Sequence, residues 1–313
     1  MRTALLFAGQ ATQYVGMGRL LFERFDEARA IFRAADDALD EDLTGLILRG
    51  PEDRLNRTEN TQPAVLTVAC AGWAVLEARG FRPTVVAGHS LGEFGALVSA
   101  GALAFQDAVR LCRQRGRFMQ AAVAPGLGAM AAIQRADDEL VEAACTAAPG
   151  VCEPAAYNAP QLTVISGESA AVASAVTRLE AAGALVTPLV VSAPFHCRLL
   201  APAAEALAVA LESVPFGPLA HPYVANVDAT WQTTSTPAEI RARLVHQVTR
   251  PVRWKDSLQC MLDRGIERFW HLGPGRSNLT HLKRLARKAK AATLDEAADL
   301  EMLLAEIDGC RQV

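Results

Sequence analysis

A serine hydroxyl attacks a carbonyl well only where a base can take its proton and a tight turn lifts its oxygen clear of the surrounding backbone. Gly88-His89-Ser90-Leu91-Gly92 has the pattern for such a turn. The pattern G-x-S-x-G carries information when a strand feeds it and a helix leaves it, because small residues at both ends allow the sharp reversal. Both flanks are present: Pro83 to Gly88 reads as a short β-branched strand, and residues 91–100 read as helical. A helix N-terminus behind the serine also favours developing negative charge. Ser90 is therefore a candidate nucleophile. Six histidines are available as its base: His89, His196, His221, His246, His271 and His281. His89 is adjacent, but its side chain leaves the turn in a different direction from that of Ser90. His196, in Ser192-Ala-Pro-Phe-His-Cys197, follows a strand and precedes a helix, a position where loops face the active end of a sheet. Pattern alone does not choose among the six, since a lone histidine is most often structural or solvated.

The elements around these residues alternate. Residues 3–8 read as a buried strand closed by Gly9, and 20–39 as an amphipathic helix with Leu20, Phe25, Ala28, Ile31, Phe32, Ala35 and Leu39 on one stripe. Thr61 reads as the cap of a helix running to Arg79, with Pro63 in its first turn and Gly80 as its stop. Between about 129 and 192 the rhythm changes to strand 129–134, helix 136–148, strands 151–158 and 161–168, helix 169–183 and strand 184–192. That order, βαββαβ, is the ferredoxin-like unit. A helix at 199–213, a strand at 222–227, helices near 237–247 and 254–264 and a strand at 267–273 follow. The chain thus reads as α/β, with a large body of mostly parallel sheet at 1–125 and 194–313 and a small inserted unit at 126–193.

Composition removes several classes. With 31 Lys+Arg against 34 Asp+Glu, a net charge of −3 gives no global attraction to nucleic acid or an anionic membrane. The longest apolar run, Pro63 to Leu76, is shorter than a membrane span, and the first ten residues are too weakly apolar for a secretion signal. Seven cysteines without a CxxC pair suggest reduced thiols rather than a disulfide framework or a metal site. These features predict a soluble cytoplasmic protein.

The segments FAGQATQ (7–13), GHSLGEF (88–94), RQRGRFMQ (113–120), GAMAAI (128–133), YNAP and TVISG (157–167), VSAPFH (191–196), PYVANVDA (222–229), PVRW (251–254) and HLGPGRSNL (271–279) are collinear. In order and spacing they resemble the malonyl-CoA:acyl carrier protein transacylases, the acyltransferases of fatty-acid and polyketide synthesis. The resemblance runs from residue 3 to about 285. It implies an α/β-hydrolase-like large subdomain with a ferredoxin-like insert, the same division read above from the order of elements.

The resemblance also implies roles. Ser90 corresponds to the nucleophile and His196 to the general base, a dyad in which backbone carbonyls orient the imidazole. Gln247 matches the residue whose main chain does part of this and whose side chain lines the site. The backbone N–H groups of Gln10 and Leu91 correspond to the oxyanion hole. Arg115 matches the arginine that clamps the free carboxylate of a malonyl group, a task suited to a planar, permanently charged fork. Read without the resemblance, Arg110, Arg113, Arg115 and Arg117 would be a solvated basic helix face, and the motif changes that reading for Arg115 only. Met119 is expected beside the acyl chain, and Asn158 is expected to be structural. Leu91 and Phe195 stand where relatives that choose methylmalonyl units often carry Gln and Ser, so malonyl is expected here. Two departures concern the first loop, where the family usually has Pro and Gly and this chain has Ala8 and Ala11. If that position needs a positive φ, Ala11 is strained. Phe94 replaces the commoner Tyr.

The run Lys283, Arg284, Arg287, Lys288, Lys290 reads as a solvated helix face or as a docking patch for an acidic acyl carrier protein. The expected reaction is ping-pong transfer of malonyl from coenzyme A to a carrier's phosphopantetheine thiol through a Ser90 ester. It needs no metal or other cofactor and is carried out by a monomer. A carrier-protein acyl hydrolase of the same fold and a transferase of an unusual malonyl-derived unit are the alternatives. The hydrolase is expected to lack the arginine.

Overall fold

The computed structural model describes residues 2–310. Ten strands are numbered in chain order: β1 (Thr3–Phe7), β2 (Val85–Gly88), β3 (Gly128–Gln134), β4 (Cys152–Ala159), β5 (Leu162–Glu168), β6 (Leu185–Leu189), β7 (Tyr223–Val224), β8 (Trp231–Gln232), β9 (Arg268–Leu272) and β10 (Lys290–Thr293). Six of them form one sheet in the order β10-β9-β1-β2-β7-β8. Every pairing in it is parallel except that of β8, which closes the edge as a short antiparallel partner of β7. Its central strand TALLF is buried at all five positions, as a parallel strand covered by helices on both faces must be.

The remaining four strands make a separate antiparallel sheet, β4-β5-β3-β6, with helices Asp138–Thr146 and Ser169–Ala181 on one face. This is the ferredoxin-like order expected from the βαββαβ run. Ile133, Val141, Ile165, Val172 and Leu179 form a second small core between that sheet and its helices. On the other face, Met130, Ala155, Ala156 and Val164 belong to the main core instead. Backbone bonds fasten the junction: Tyr157 N donates to Val252 O and Val252 N to Ala155 O, both at 2.9 Å. The α/β architecture with an inserted ferredoxin-like unit is therefore the one read from the sequence.

Local departures from the expected elements have identifiable causes. The helix expected over 20–39 is two, Arg19–Arg24 and Asp26–Leu39, because Phe25 turns extended (φ −129°) to drop its ring into the core. Asp26 and Glu27 then start the second helix at its positive end. The next long helix begins at Thr58, so Pro63 lies past the first turn. Thr61 is not its cap: its hydroxyl donates inward to Leu55 O (2.6 Å) and Arg57 O (3.1 Å). The strand expected over 184–192 stops at Leu189, and the one over 222–227 is only Tyr223–Val224, since Ala225–Ala229 make a turn around Asn226. The basic run is not one helix face. Helix Ser277–Leu285 ends within it, and Lys290 already belongs to β10. No helix among the described residues is long and apolar enough to cross a membrane. Cys70, Cys112, Cys145, Cys152 and Cys197 are buried free thiols.

Candidate active site

The turn at Ser90 is built by its two glycines. A Cβ on Gly88 would lie 2.0 Å from the Gly92 carbonyl, and one on Gly92 would lie 2.4 Å from Phe7 O. The chain can therefore pass from β2 into helix Gly92–Ser99 beside β1 only if both positions lack a side chain. Ser90 itself takes φ +52°, the strained left-handed conformation of a nucleophile held at a sharp turn. Asn226 straps the turn from β7's side. Its Oδ1 accepts from Ser90 N and its Nδ2 donates to Gly88 O, both at 2.7 Å, the second fully buried.

His196 comes to this serine across 106 residues of chain. Its Nε2 lies 2.7 Å from Ser90 Oγ, and its Nδ1 lies 2.7 Å from the Gln247 carbonyl. A carbonyl can only accept, so the proton sits on Nδ1 and Nε2 presents a lone pair to the serine hydroxyl. Among the described residues no carboxylate completes a triad; the backbone of helix Pro237–Thr249 orients the ring in its place. His196 also has a positive φ, +61°, which turns it sharply off the linker after β6. Burial and the neighbouring Arg115 charge push its pKa down to about 3, so the imidazole is neutral and able to accept a proton at physiological pH.

Arg115 is the third converging group. It lies on helix Phe105–Ala122, is 2% exposed, and has no acidic partner within hydrogen-bonding distance among the described residues. Its Nη1 donates to Gln62 Oε1 (2.8 Å), and its Nη2 to Gln247 Oε1 (2.8 Å) and more weakly to Ser90 Oγ (3.3 Å). Its Nε has no partner among the described residues. Burial draws its pKa down to about 10, which still leaves it charged. A buried cation held by neutral amides is not a structural ion pair. It is an incomplete one, and an anion delivered beside Ser90 would complete it.

Around this centre, Gln62 also turns its Nε2 toward Met119 Sδ (3.5 Å), which places Met119, 1% exposed, against the same cage. Phe195 is buried immediately before the base. In the first loop the Gln10 side chain is turned away to Thr58 Oγ1 (3.0 Å). Among the described residues, no protein acceptor takes up the backbone N–H of Gln10 or Leu91. Ala11 does adopt the positive φ, +71°, that the glycine of related loops would take without strain. His89 points away from Ser90, as expected, and its Nε2 lies 2.7 Å from Asn158 Oδ1 on β4, a bond between body and insert.

The four arginines of helix Phe105–Ala122 divide differently from a solvated face. Arg110 and Arg117 are half exposed, with side-chain exposures of 52% and 57%. Arg113 is buried, bonded to Asn60 and paired with Glu41 at 2.7 Å. A helix turns about 100° per residue, so 110, 113 and 117 share one face and only 115 lies on the opposite side; Arg113 is interior because Asn60 and Glu41 cover it. The basic run divides too. Arg276, Lys283, Arg284 and Arg287 line a surface cavity of about 450 Å³, and Lys288 lies outside it. Lys283 donates to the Arg287 and Ala289 carbonyls, so its ammonium helps hold the end of its own helix. Among the described residues Arg284 reaches only the neutral Gln134 (2.9 Å).

Three residues of the site were not singled out in the sequence: Gln62, Glu93 and Asn226. Glu93 and Asn226 lie inside the GHSLGEF and PYVANVDA segments, where motif position was the only available signal. Gln62 lies next to Thr61 and Pro63, which draw the eye as helix punctuation.

The whole arrangement can be set beside known proteins. The acyl transferase domain family matches residues 4–290. The chain is 41% identical over 307 residues to the malonyl CoA-acyl carrier protein transacylase of Salmonella typhimurium, covering 97% of this chain and 99% of the relative. It is 37% identical to the Bacillus subtilis protein of the same name, covering 97% and 96%. Among solved structures, a malonyl-transacylase in complex with its type II polyketide synthase acyl-carrier protein superposes with a TM-score of 0.95 at 39% identity, covering 98% of this chain and all of the other. An acyl carrier protein S-malonyltransferase from Vibrio cholerae gives 0.93 at 37% identity, covering 97% and 100%.

Proposed function

The chain belongs to the malonyl CoA-acyl carrier protein transacylase family of acyl transferases, and from that premise we propose how its own residues carry the reaction. It is an [acyl-carrier-protein] S-malonyltransferase. It moves a malonyl group from coenzyme A to the phosphopantetheine thiol of an acyl carrier protein. The single observation that carries this reading is the convergence on Ser90 Oγ of a neutral base at 2.7 Å and an unpaired buried guanidinium at 3.3 Å.

In the first half-reaction Ser90 Oγ attacks the malonyl thioester carbonyl while His196 Nε2 takes the hydroxyl proton. The negative charge that develops on the carbonyl oxygen falls to the backbone N–H groups of Gln10 and Leu91. The imidazolium that forms is held through Nδ1–H by the Gln247 carbonyl. As the tetrahedral species collapses, the C–S bond breaks and the departing sulfur takes the proton from His196 as free coenzyme A thiol. The malonyl carboxylate lies on Arg115, with Met119 and Phe195 limiting the room beside the acyl chain. In the second half-reaction His196 deprotonates the carrier's thiol, the thiolate attacks the ester, and the proton returns to Ser90. The reaction balances with no metal or redox cofactor.

The insert 126–193 and the body form the two walls of the cleft that receives both pantetheine arms. Arg284 and Arg287, whose charges have no acidic partner among the described residues, are the cations offered to an acidic carrier. The protein works as a cytoplasmic monomer that meets its carrier in trans. The test is intact-mass detection of acyl-enzyme across malonyl-, methylmalonyl- and acetyl-CoA, followed by addition of holo carrier protein. A malonyl adduct that is absent in Ser90→Ala and passes to the carrier supports the reading. Release of the adduct to water in place of transfer would refute it.

A further inference from the structure

Glu93 lies one turn beyond the nucleophile and is 1% exposed. Its Oε2 accepts from Gln247 Nε2 at 2.6 Å, and its Oε1 has no partner among the described residues. The same Gln247 amide also donates to Ser90 O (3.0 Å) and accepts from Arg115 Nη2 (2.8 Å). An amide has one accepting end and one donating end, whereas a guanidinium only donates. Gln247 can hold Arg115 only with its oxygen turned toward the guanidinium, and that requires acceptors for its nitrogen on the opposite side. Glu93 supplies the shorter of the two.

We propose that Glu93 is a positioning residue for acyl-group selection. By holding Gln247 Nε2 it keeps Gln247 Oε1 on Arg115, and so keeps the guanidinium aimed at the acyl group of Ser90. This rests on the reading of Arg115 as the malonyl clamp. Among the other charged and titratable groups near Glu93, Arg243 pairs with Asp228 at 3.2 Å, with Tyr223 set against that pair. Arg115 feels the Glu93 charge across Gln247 without bonding to it, so the variants must separate the acceptor from the charge. Burial raises the Glu93 pKa to about 7. Both protonation states keep an acceptor oxygen, so the proposed role is one of hydrogen-bond geometry, separable by substitution from the Glu93 charge felt at Arg115.

That distinction sets the experiment. Glu93→Met removes the acceptor, whereas Glu93→Gln keeps an acceptor oxygen and removes the charge. Acyl-Ser90 formation is measured with malonyl-CoA and acetyl-CoA, and thermal unfolding checks the fold. Glu93→Met is expected to lower kcat/KM for malonyl-CoA roughly tenfold, mostly through KM, the effect of one lost hydrogen bond in a charged network. Acetyl loading should change by less than about twofold, because acetyl does not use the clamp. Glu93→Gln should regain most of the malonyl preference. Equal losses for the two acyl groups, no selective loss, or a Glu93→Gln variant as impaired as Glu93→Met would overturn the proposal. If Glu93→Met does not fold, Glu93→Ala removes the same acceptor without the added bulk and must show the same selective loss. A wild-type enzyme that never loads malonyl overturns the reading of the site, and this proposal with it. A wild-type enzyme that loads malonyl, with variants showing no selective loss, overturns the proposal alone.

Discussion

Replacing Arg115 by alanine separates two effects that one guanidinium exerts. The first is recognition. Its fork now donates to Gln62, Gln247 and weakly to Ser90 Oγ, and a malonyl carboxylate would receive charge-assisted bonds from the same side chain. Such bonds contribute about 1.5–3 kcal/mol each, and two of them, less what is lost to the neutral amides, leave about 3 kcal/mol. Malonyl-CoA should therefore lose roughly 150-fold in kcat/KM, while acetyl-CoA, which has no carboxylate, changes little. The second effect is on the base. The His196 pKa is lowered first by burial and then by the Arg115 charge. Removing the charge raises that pKa, and water entering the space left by the side chain raises it further. A base with a higher pKa becomes protonated at higher pH, so the acid limb of acetyl loading should move toward neutrality. The assay is the initial rate of acyl-Ser90 formation by intact mass, for both thioesters, between pH 5 and 9. An unchanged malonyl-to-acetyl ratio would refute the clamp. An acid limb that stays put or moves to lower pH would refute the electrostatic coupling.

Three further outcomes are expected. Ala11→Gly should relieve the positive φ and raise stability by about 0.5–1 kcal/mol in a denaturant titration; a loss of stability would show that the alanine is well accommodated. Asn226→Ala removes both bonds that strap the serine turn, so it should destabilise the fold by about 2–4 kcal/mol and slow acylation from either thioester. Wild-type acylation rates in that variant would mean that Ser90 is held by other means. Reversing Arg284 and Arg287 to glutamate should raise KM for the carrier protein and flatten its salt dependence, without changing malonyl loading from coenzyme A. An unchanged carrier KM would remove these residues from the docking surface.

The sequence disclosed the fold through periodicity, because βαββαβ is a local order that needs no knowledge of distant contacts. It disclosed Ser90 through two glycines whose spacing serves a steric need that the structure shows directly. The base was different. A place in a loop after a strand favoured His196 but did not decide among six histidines, since what makes it a base is a carbonyl 51 positions away at Gln247. Arg113 shows the converse failure: it looks like its exposed neighbours, and only the packing of Asn60 and Glu41 makes it an interior residue. Phe25 broke a helix that every local signal supported, because one aromatic ring was more stable in the core than on the helix surface. Gln62 and Glu93 escaped notice for the same reason as the base. Their importance lies in which end of an amide faces which partner, and that is a property of three dimensions.

Gln247 joins the base, the clamp and the nucleophile's own carbonyl through one residue, which bears on how such a chain could change over generations. A lineage drifting toward uncharged acyl groups would first have to give up Arg115. That single step would leave the Gln247 and Gln62 oxygens without their donor in a buried site, a penalty of about 1–3 kcal/mol each. Replacing Gln247 to relieve it would disturb the segment that orients His196. Substrate preference and catalytic competence are thus inherited together here. Any path to a new acyl group must cross intermediates that are weakened in both, or must change several positions at once.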